Sequence, residues 1–160
     1  MLFSCKSADV PTRVESVDLE KYAGTWYEIA RYPTSFEQGC SCVTAAYTPK
    51  GRYVQVINRC NKSGNAKSIK GKAFPVKGSN NTKLKVQFFW PFRAGYWIIG
   101  LDDDYQWALV GSPSKNYCWI LAREKQLSEE EMKHIFSLMK AEGYDKDRLH
   151  FTKHNCHENN

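Results

Sequence analysis

The sequence predicts an all-β domain: an eight-stranded antiparallel up-and-down barrel, one C-terminal α-helix packed outside it, and a short final strand. Three observations predict it. Eight short β-rich runs follow one another at an even spacing, separated by turn residues. Several of those runs alternate apolar and polar side chains, so one face of each is dry. After the last run comes a single amphipathic segment with a clear start and stop. Closing eight strands into a ring removes the exposed sheet edges, and a ring of that size holds packed side chains or one small ligand.

Residues 1–16 read as a polar arm, 17–156 as the folded domain and 157–160 as a polar tail. Asp18 is placed to cap a short turn at 18–23, leading into Gly24. The predicted strands are 25–32, 42–47, 53–58, 68–74, 83–89, 96–101, 106–111 and 117–123. Leu84, Val86 and Phe88 alternate with Lys83, Lys85 and Gln87. The runs at 96–101 and 117–121 are apolar on both faces, so something must cover their outer side. Ser128 with Glu131 makes a capping box, and Glu129, Glu130 and Glu131 sit at the positive end of the helix dipole. Met132, Ile135, Phe136 and Met139 form the apolar stripe that supplies the cover, and Gly143 ends the helix. An extended piece follows at 148–152.

The chain has 160 residues, enough for one domain with its own core. No run reaches the roughly 18 apolar residues of a membrane-spanning helix. The net charge of +6 comes from scattered Lys and Arg, which suits anionic membrane surfaces or ligands and argues against a nucleic-acid stripe. Six cysteines with no CxxC pair point to an oxidising compartment. Leu2-Phe3-Ser4-Cys5 reads like the end of a bacterial lipoprotein signal, which makes Cys5 the candidate lipid acceptor. The hairpin around Gly51 brings its far ends together, so Cys40 and Cys60 are a plausible disulfide.

Gly24-Thr25-Trp26-Tyr27-Glu28 resembles the G-x-W signature of lipocalins. Asp104-Tyr105, ahead of Ala108-Leu109-Val110, resembles their second signature, and Arg123, closing Trp119-Ile120-Leu121-Ala122-Arg123, the third. The phrases at 26–31 and 119–123 are most similar to bacterial outer-membrane lipocalins, apolipoprotein D and plant temperature-induced lipocalins. The resemblance implies that Trp26 seals the closed end of the barrel, with the Arg123 guanidinium over its indole. It also implies a Cys42–Cys156 disulfide tying the tail to the barrel, with the swapped pairing of Cys42 to Cys60 and Cys40 to Cys156 left open.

The expected site is the barrel interior, open at the end opposite Trp26. Strand alternation turns inward Val43, Ala45 and Tyr47; Val54, Val56 and Asn58; Leu84, Val86 and Phe88; Tyr96 and Ile98; Ala108 and Val110; Tyr117 and Trp119. Such an apolar, aromatic set suits an acyl chain. Among Arg31, Arg52, Arg59 and Arg93, Arg59 is the head-group candidate, because it lies near the mouth end of its strand; Arg52 falls in a turn at the closed end. Cys118 alternates with inward neighbours, so it reads as a free buried thiol under the helix. His154-Asn155-Cys156-His157 is a poor metal cluster, because its cysteine is shared with a disulfide. No metal, cofactor or catalytic group is expected.

The function implied is binding, transport or storage of fatty acids or lysophospholipids, with retinoid or bilin carriage, or a lipocalin-fold enzyme, as alternatives. The partners expected are that small ligand and a membrane surface, touched by the aromatic tip Trp90-Pro91-Phe92, with no nucleic acid and a monomer or weak dimer. The expected place is the bacterial envelope, as an outer-membrane-anchored lipoprotein on the periplasmic side, or else secreted.

Overall fold

The computed structural model describes residues 13–89 and 91–156, so Cys5, Trp90 and the tail at 157–160 lie outside the described residues. Eight strands form the ring: β1 (Gly24–Arg31), β2 (Cys40–Pro49), β3 (Val54–Lys62), β4 (Asn65–Pro75), β5 (Lys83–Gln87), β6 (Ala94–Leu101), β7 (Trp107–Gly111) and β8 (Cys118–Ala122). Each pairs antiparallel with the next, and β1 bonds to both β8 and β2, which closes the barrel. A ninth strand, β9 (His150–Phe151), adds to β1 outside the ring. The β3–β4 hairpin runs further than its turn residues suggest. Only Ser63 and Gly64 leave the ladder, both with positive φ, the two-residue turn that matches strand twist.

The short helix α1 (Leu19–Tyr22) starts where Asp18 accepts from the amides of Glu20 and Lys21. With Val17 and Leu19 it plugs the end of the barrel that carries Trp26. Trp26 is fully buried and donates its indole N–H to the Tyr22 carbonyl at 2.8 Å. The Arg123 guanidinium lies 3.8 Å from the centre of its ring. Arg123 also donates to the carbonyls of Tyr105, Thr25, Lys21 and Ala23, tying the stretch at 21–25 to the loop before β7 across the floor. Gly24 has a φ of +94°, which a side chain would resist, and a Cβ there would sit 3.4 Å from Arg123.

Helix α2 (Glu129–Ala141) carries both bonds of the capping box, each at 3.1 Å, and ends at Gly143 with a positive φ. It lies on the outer face of β1, β7 and β8, over Ile29, Trp107, Leu109, Cys118 and Ile120. Its buried residues are Ile135, Leu138 and Met139, with Met132 and Phe136 at the edges. The expected stripe is therefore rotated toward Leu138. The reason is close approach: Gly100 has no Cβ, and one placed there would meet Leu138 Cδ1 at 3.0 Å. No helix among the described residues is long and apolar enough to cross a membrane.

Candidate functional site: the open half of the bore

The inward-facing positions divide into two layers. The lower layer is solid. Val54, Val56, Leu84, Ile98, Ala108 and Val110 are buried there beside Trp26. Three phenols fill the centre: the Tyr96 hydroxyl meets that of Tyr22 at 2.7 Å and that of Tyr47 at 2.8 Å. Burial pushes the Tyr47 phenol up to about 12 and raises Tyr22 and Tyr96 well above the ordinary value. All three stay neutral and bonded to one another, so Tyr47 and Tyr96 make a floor.

The upper layer is less fully buried. Ala45, Asn58, Val86, Phe88 and Trp119 point inward, yet each is only half-buried. Phe88 follows the end of β5 and lies over Gly71 of the neighbouring β4, where the missing side chain leaves it room; a Cβ on Gly71 would stand 2.7 Å from the Phe88 ring. Tyr117 precedes β8 at the rim and stacks flat on Trp119, with ring centres 5.7 Å apart. Val43 is buried on β2.

Arg59 does not join this wall. It pairs with Thr44, which pairs with Tyr27, and Tyr27 is the residue after inward Trp26. The pleat therefore puts Arg59 on the outer face, where it is exposed. Its nearness to the mouth end of β3 placed it correctly along the strand and on the wrong side of it. There it borders an external groove of about 390 Å³, with Tyr27, Thr44, Ser68 and His154.

The inward cation is Arg31. A bulge in β1 between Glu28 and Ala30 shifts the alternation by one residue, so Glu28 and Arg31 both enter the barrel and both are 3% exposed. Arg31 Nη1 donates to Glu28 Oε1 at 2.8 Å and to Thr152 Oγ1 at 3.2 Å, and Nη2 donates to the Glu37 carbonyl at 2.9 Å. Thr152 Oγ1 donates to the same Glu28 oxygen. Arg31 Nε lies 2.8 Å from Glu37 Oε2 but off the hydrogen-bond direction, so that contact is an ion pair rather than an aligned bond. Burial and the adjacent Glu28 carboxylate push the Glu37 carboxyl up to about 8, against the opposing pull of Arg31 and Trp119. Glu37 carried no sequence signal: it stands in the loop between β1 and β2, outside every periodic run.

Both disulfides close beside this layer. Cys40 joins Cys60 across the β2–β3 ends, and Cys42 joins Cys156, with Cα atoms 5.5 and 6.2 Å apart. The second holds the segment after β9 against β1, where Thr152 N donates to the Ile29 carbonyl. His154 bonds the Glu28 carbonyl, and its neighbour Cys156 is spent in the disulfide. Cys118 is a free, buried thiol on the outer face under α2, and burial pushes it up to about 12.

Residues 17–154 match the lipocalin-like domain. The chain belongs to the lipocalin family. It is 36% identical to the outer membrane lipoprotein Blc of Citrobacter freundii, over 96% of this chain and 90% of that one. It is 38% identical to temperature-induced lipocalin-1 of Arabidopsis thaliana, over 87% and 80% of the two chains. Identity to apolipoprotein D of Macaca fascicularis is 34%, over 92% and 83%. Among solved structures, insecticyanin of the tobacco hornworm superposes with a TM-score of 0.71 at 21% identity, over 90% and 84%. Lobster apocrustacyanin A1 does so with 0.71 at 23%, over 92% and 91%. Those two likenesses show the lipocalin barrel itself. Lipocalins bind small hydrophobic ligands.

Proposed function

We propose that this lipocalin binds and carries an elongated apolar ligand, a fatty acid or lysophospholipid, in the upper half of its bore, and serves membrane-lipid maintenance. One observation carries the reading: Ala45, Asn58, Val86, Phe88 and Trp119 face inward above a sealed floor and remain half-exposed. Covering that wall with an acyl chain is favourable by about 25 cal/mol per Å² of apolar surface before ordering costs. Tyr117 and Trp119 supply a flat aromatic side to the entrance.

The rim supports a lipid surface as the place of exchange. Phe36, Phe89, Phe92 and Tyr117 stand exposed on three loops at the mouth end, beside Arg93 and Lys115. The relatives named outer membrane lipoproteins support a place in the bacterial envelope, with Cys5 as the lipid acceptor. The reading is of binding rather than chemistry, because the one free thiol among the described residues lies outside the bore.

Native mass spectrometry of the purified, oxidised protein tests this, followed by extraction of whatever co-purifies. A fatty acid or lysophospholipid, displaced by a fluorescent acyl probe that quenches Trp119, is the expected result. A bound pigment or retinoid, or a barrel that accepts no acyl probe, overturns it.

A further inference from the structure

Residues 38–101 hold eleven Lys and Arg and no Asp or Glu. The rest of the chain holds twelve Lys and Arg against seventeen Asp and Glu, a net of −5, so the overall +6 hides a larger separation of charge. Along the sequence the eleven cations look scattered. The fold gathers them, because this stretch makes β2 to β6, one side of the ring. Helix α2, which starts with Glu129, Glu130 and Glu131, covers the other side, over β1, β7 and β8.

The pleat fixes which side chains face out. Ala73, Leu84 and Val86 turn toward the core, so Lys72, Phe74, Lys83 and Lys85 turn outward. Lys70, two residues before Lys72 on β4, shares that face. Lys72 stands between Gln55 and Gln87, and Lys85 stands beside Phe74. Three aromatic rings lie among these cations. Lys72 Nζ is 4.8 Å from the centre of the Tyr53 ring, Lys83 Nζ is 4.3 Å from that of Trp97, and the Arg93 guanidinium is 4.1 Å from that of Phe74. Among the described residues, none of the eleven cations makes an ion pair. Like charges gathered in this way repel one another, and an anionic partner offsets that cost.

Both ends of the face favour a bilayer over a soluble polyanion. At the mouth end, the loop after β5 carries Phe89 and Phe92, 69% and 77% exposed, beside Arg93. Exposed apolar rings next to cations suit the boundary between head groups and acyl chains. At the closed end, the Val17 amide donates to the Asn80 carbonyl, and the Asn80 and Asn81 side chains donate to the carbonyls of Glu15 and Val17. The chain therefore enters the domain at the β4–β5 turn, at the foot of the same face. Cys5, the candidate lipid acceptor, stands eight residues before Arg13. A lipid there would hold that end within about 28 Å of the bilayer.

Independently of what the bore carries, we infer that the outer face of β4 and β5 docks on an anionic lipid bilayer. The barrel leans onto that side, with β5 along the surface between the β4–β5 turn and the 88–93 loop. In that pose the rim lies at the lipid surface.

Sedimentation of the full chain with vesicles tests this, using phosphatidylcholine alone and phosphatidylcholine mixed with phosphatidylglycerol. Lys70→Gln, Lys72→Gln and Lys85→Gln together are compared with Lys133→Gln, Lys140→Gln and Lys153→Gln, which remove the same charge from exposed positions on α2 and after β9. A lysine near an anionic surface is worth about fivefold in binding. The first triple is therefore expected to weaken binding to the mixed vesicles on the order of 100-fold, and the second by less than about fivefold. Equal losses in the two triples would be an effect of net charge alone and would overturn the inference. Acetylation footprinting of the wild type decides the matter even where the first triple folds poorly. On mixed vesicles Lys70, Lys72 and Lys85 are expected to lose reactivity while Lys133 and Lys140 keep theirs. Unchanged reactivity at Lys70, Lys72 and Lys85 overturns the docking face, and protection of the same three by heparin but not by vesicles assigns it to a soluble polyanion instead. Either failure leaves the carrier reading standing.

Discussion

Trp26 and Arg123 show how single residues set the architecture. The indole fills the floor and donates to Tyr22, while the guanidinium covers its face and collects four carbonyls. Arg123→Lys keeps the charge but cannot reproduce a flat fork with that many directed donors. We expect a loss of about 2–3 kcal/mol in urea unfolding, since several hydrogen bonds to a charged group and one cation–π contact are lost together. Glu37 gives a second prediction at this scale, with a definite sign. Folded, it keeps its proton to about pH 8; unfolded, it releases it near the ordinary 4.5. Its contribution to stability is therefore full below about pH 4.5 and is lost as pH rises through 8. Urea midpoints of the wild type relative to Glu37→Gln should fall between pH 5 and 8. A difference that stays constant with pH would place Glu37 in solvent rather than in the bore. Cys118 should resist alkylation at pH 8 in the folded protein and react on unfolding, because it is buried and its thiolate is disfavoured.

At the scale of elements, what was legible and what was not divide along one physical line. Periodic features were legible. The eight runs, the Ser128 capping box and the signature at 24–28 each leave a local mark in the sequence, and each stands where that mark put it. Features set by a break in period were not. The bulge at 28–30 turns Arg31 inward, and the bulge at 98–100 puts Gly100 under the helix beside Leu138 and turns Leu101 toward the inner core. Neither carries a local marker, so plain alternation misassigns everything after it. Arg59 failed for a different reason: position along a strand does not fix its face, and the pairing with Thr44 does. The final strand is likewise held by something far away in sequence. Cys42 and Cys156 close a separation of 114 residues, and on a loop-closure view that bridge is worth about 5 kcal/mol as an upper figure. Cys156→Ser should lower stability measurably and speed amide exchange at Phe151 and Thr152 before the rest of the sheet. Uniform exchange across the barrel would show that β9 does not depend on the bridge.

At the scale of the whole molecule, the lipocalin is asymmetric along its axis. The mouth end presents exposed aromatics with Arg93 and Lys115, whereas the closed end mixes Asp18, Glu20, Asp102, Asp103 and Asp104 with Lys21, Lys50, Arg52 and Lys77 around the Trp26 floor. A molecule with that polarity should approach an anionic bilayer mouth first. Phe89→Ala with Phe92→Ala should weaken binding to anionic vesicles several-fold while the barrel fold, read by circular dichroism, is kept. Unchanged vesicle binding would count against a mouth-first approach.

The proposed carrier function requires that ligand enter the upper half of the bore and not the external groove beside Arg59. Photo-crosslinking with a diazirine-bearing acyl chain, followed by peptide mapping, tests it most directly. Adducts on Val86, Phe88 and Trp119, competed away by unlabelled ligand, are the expected result. Adducts confined to Tyr27, Ser68 and His154 on the outer face would contradict it.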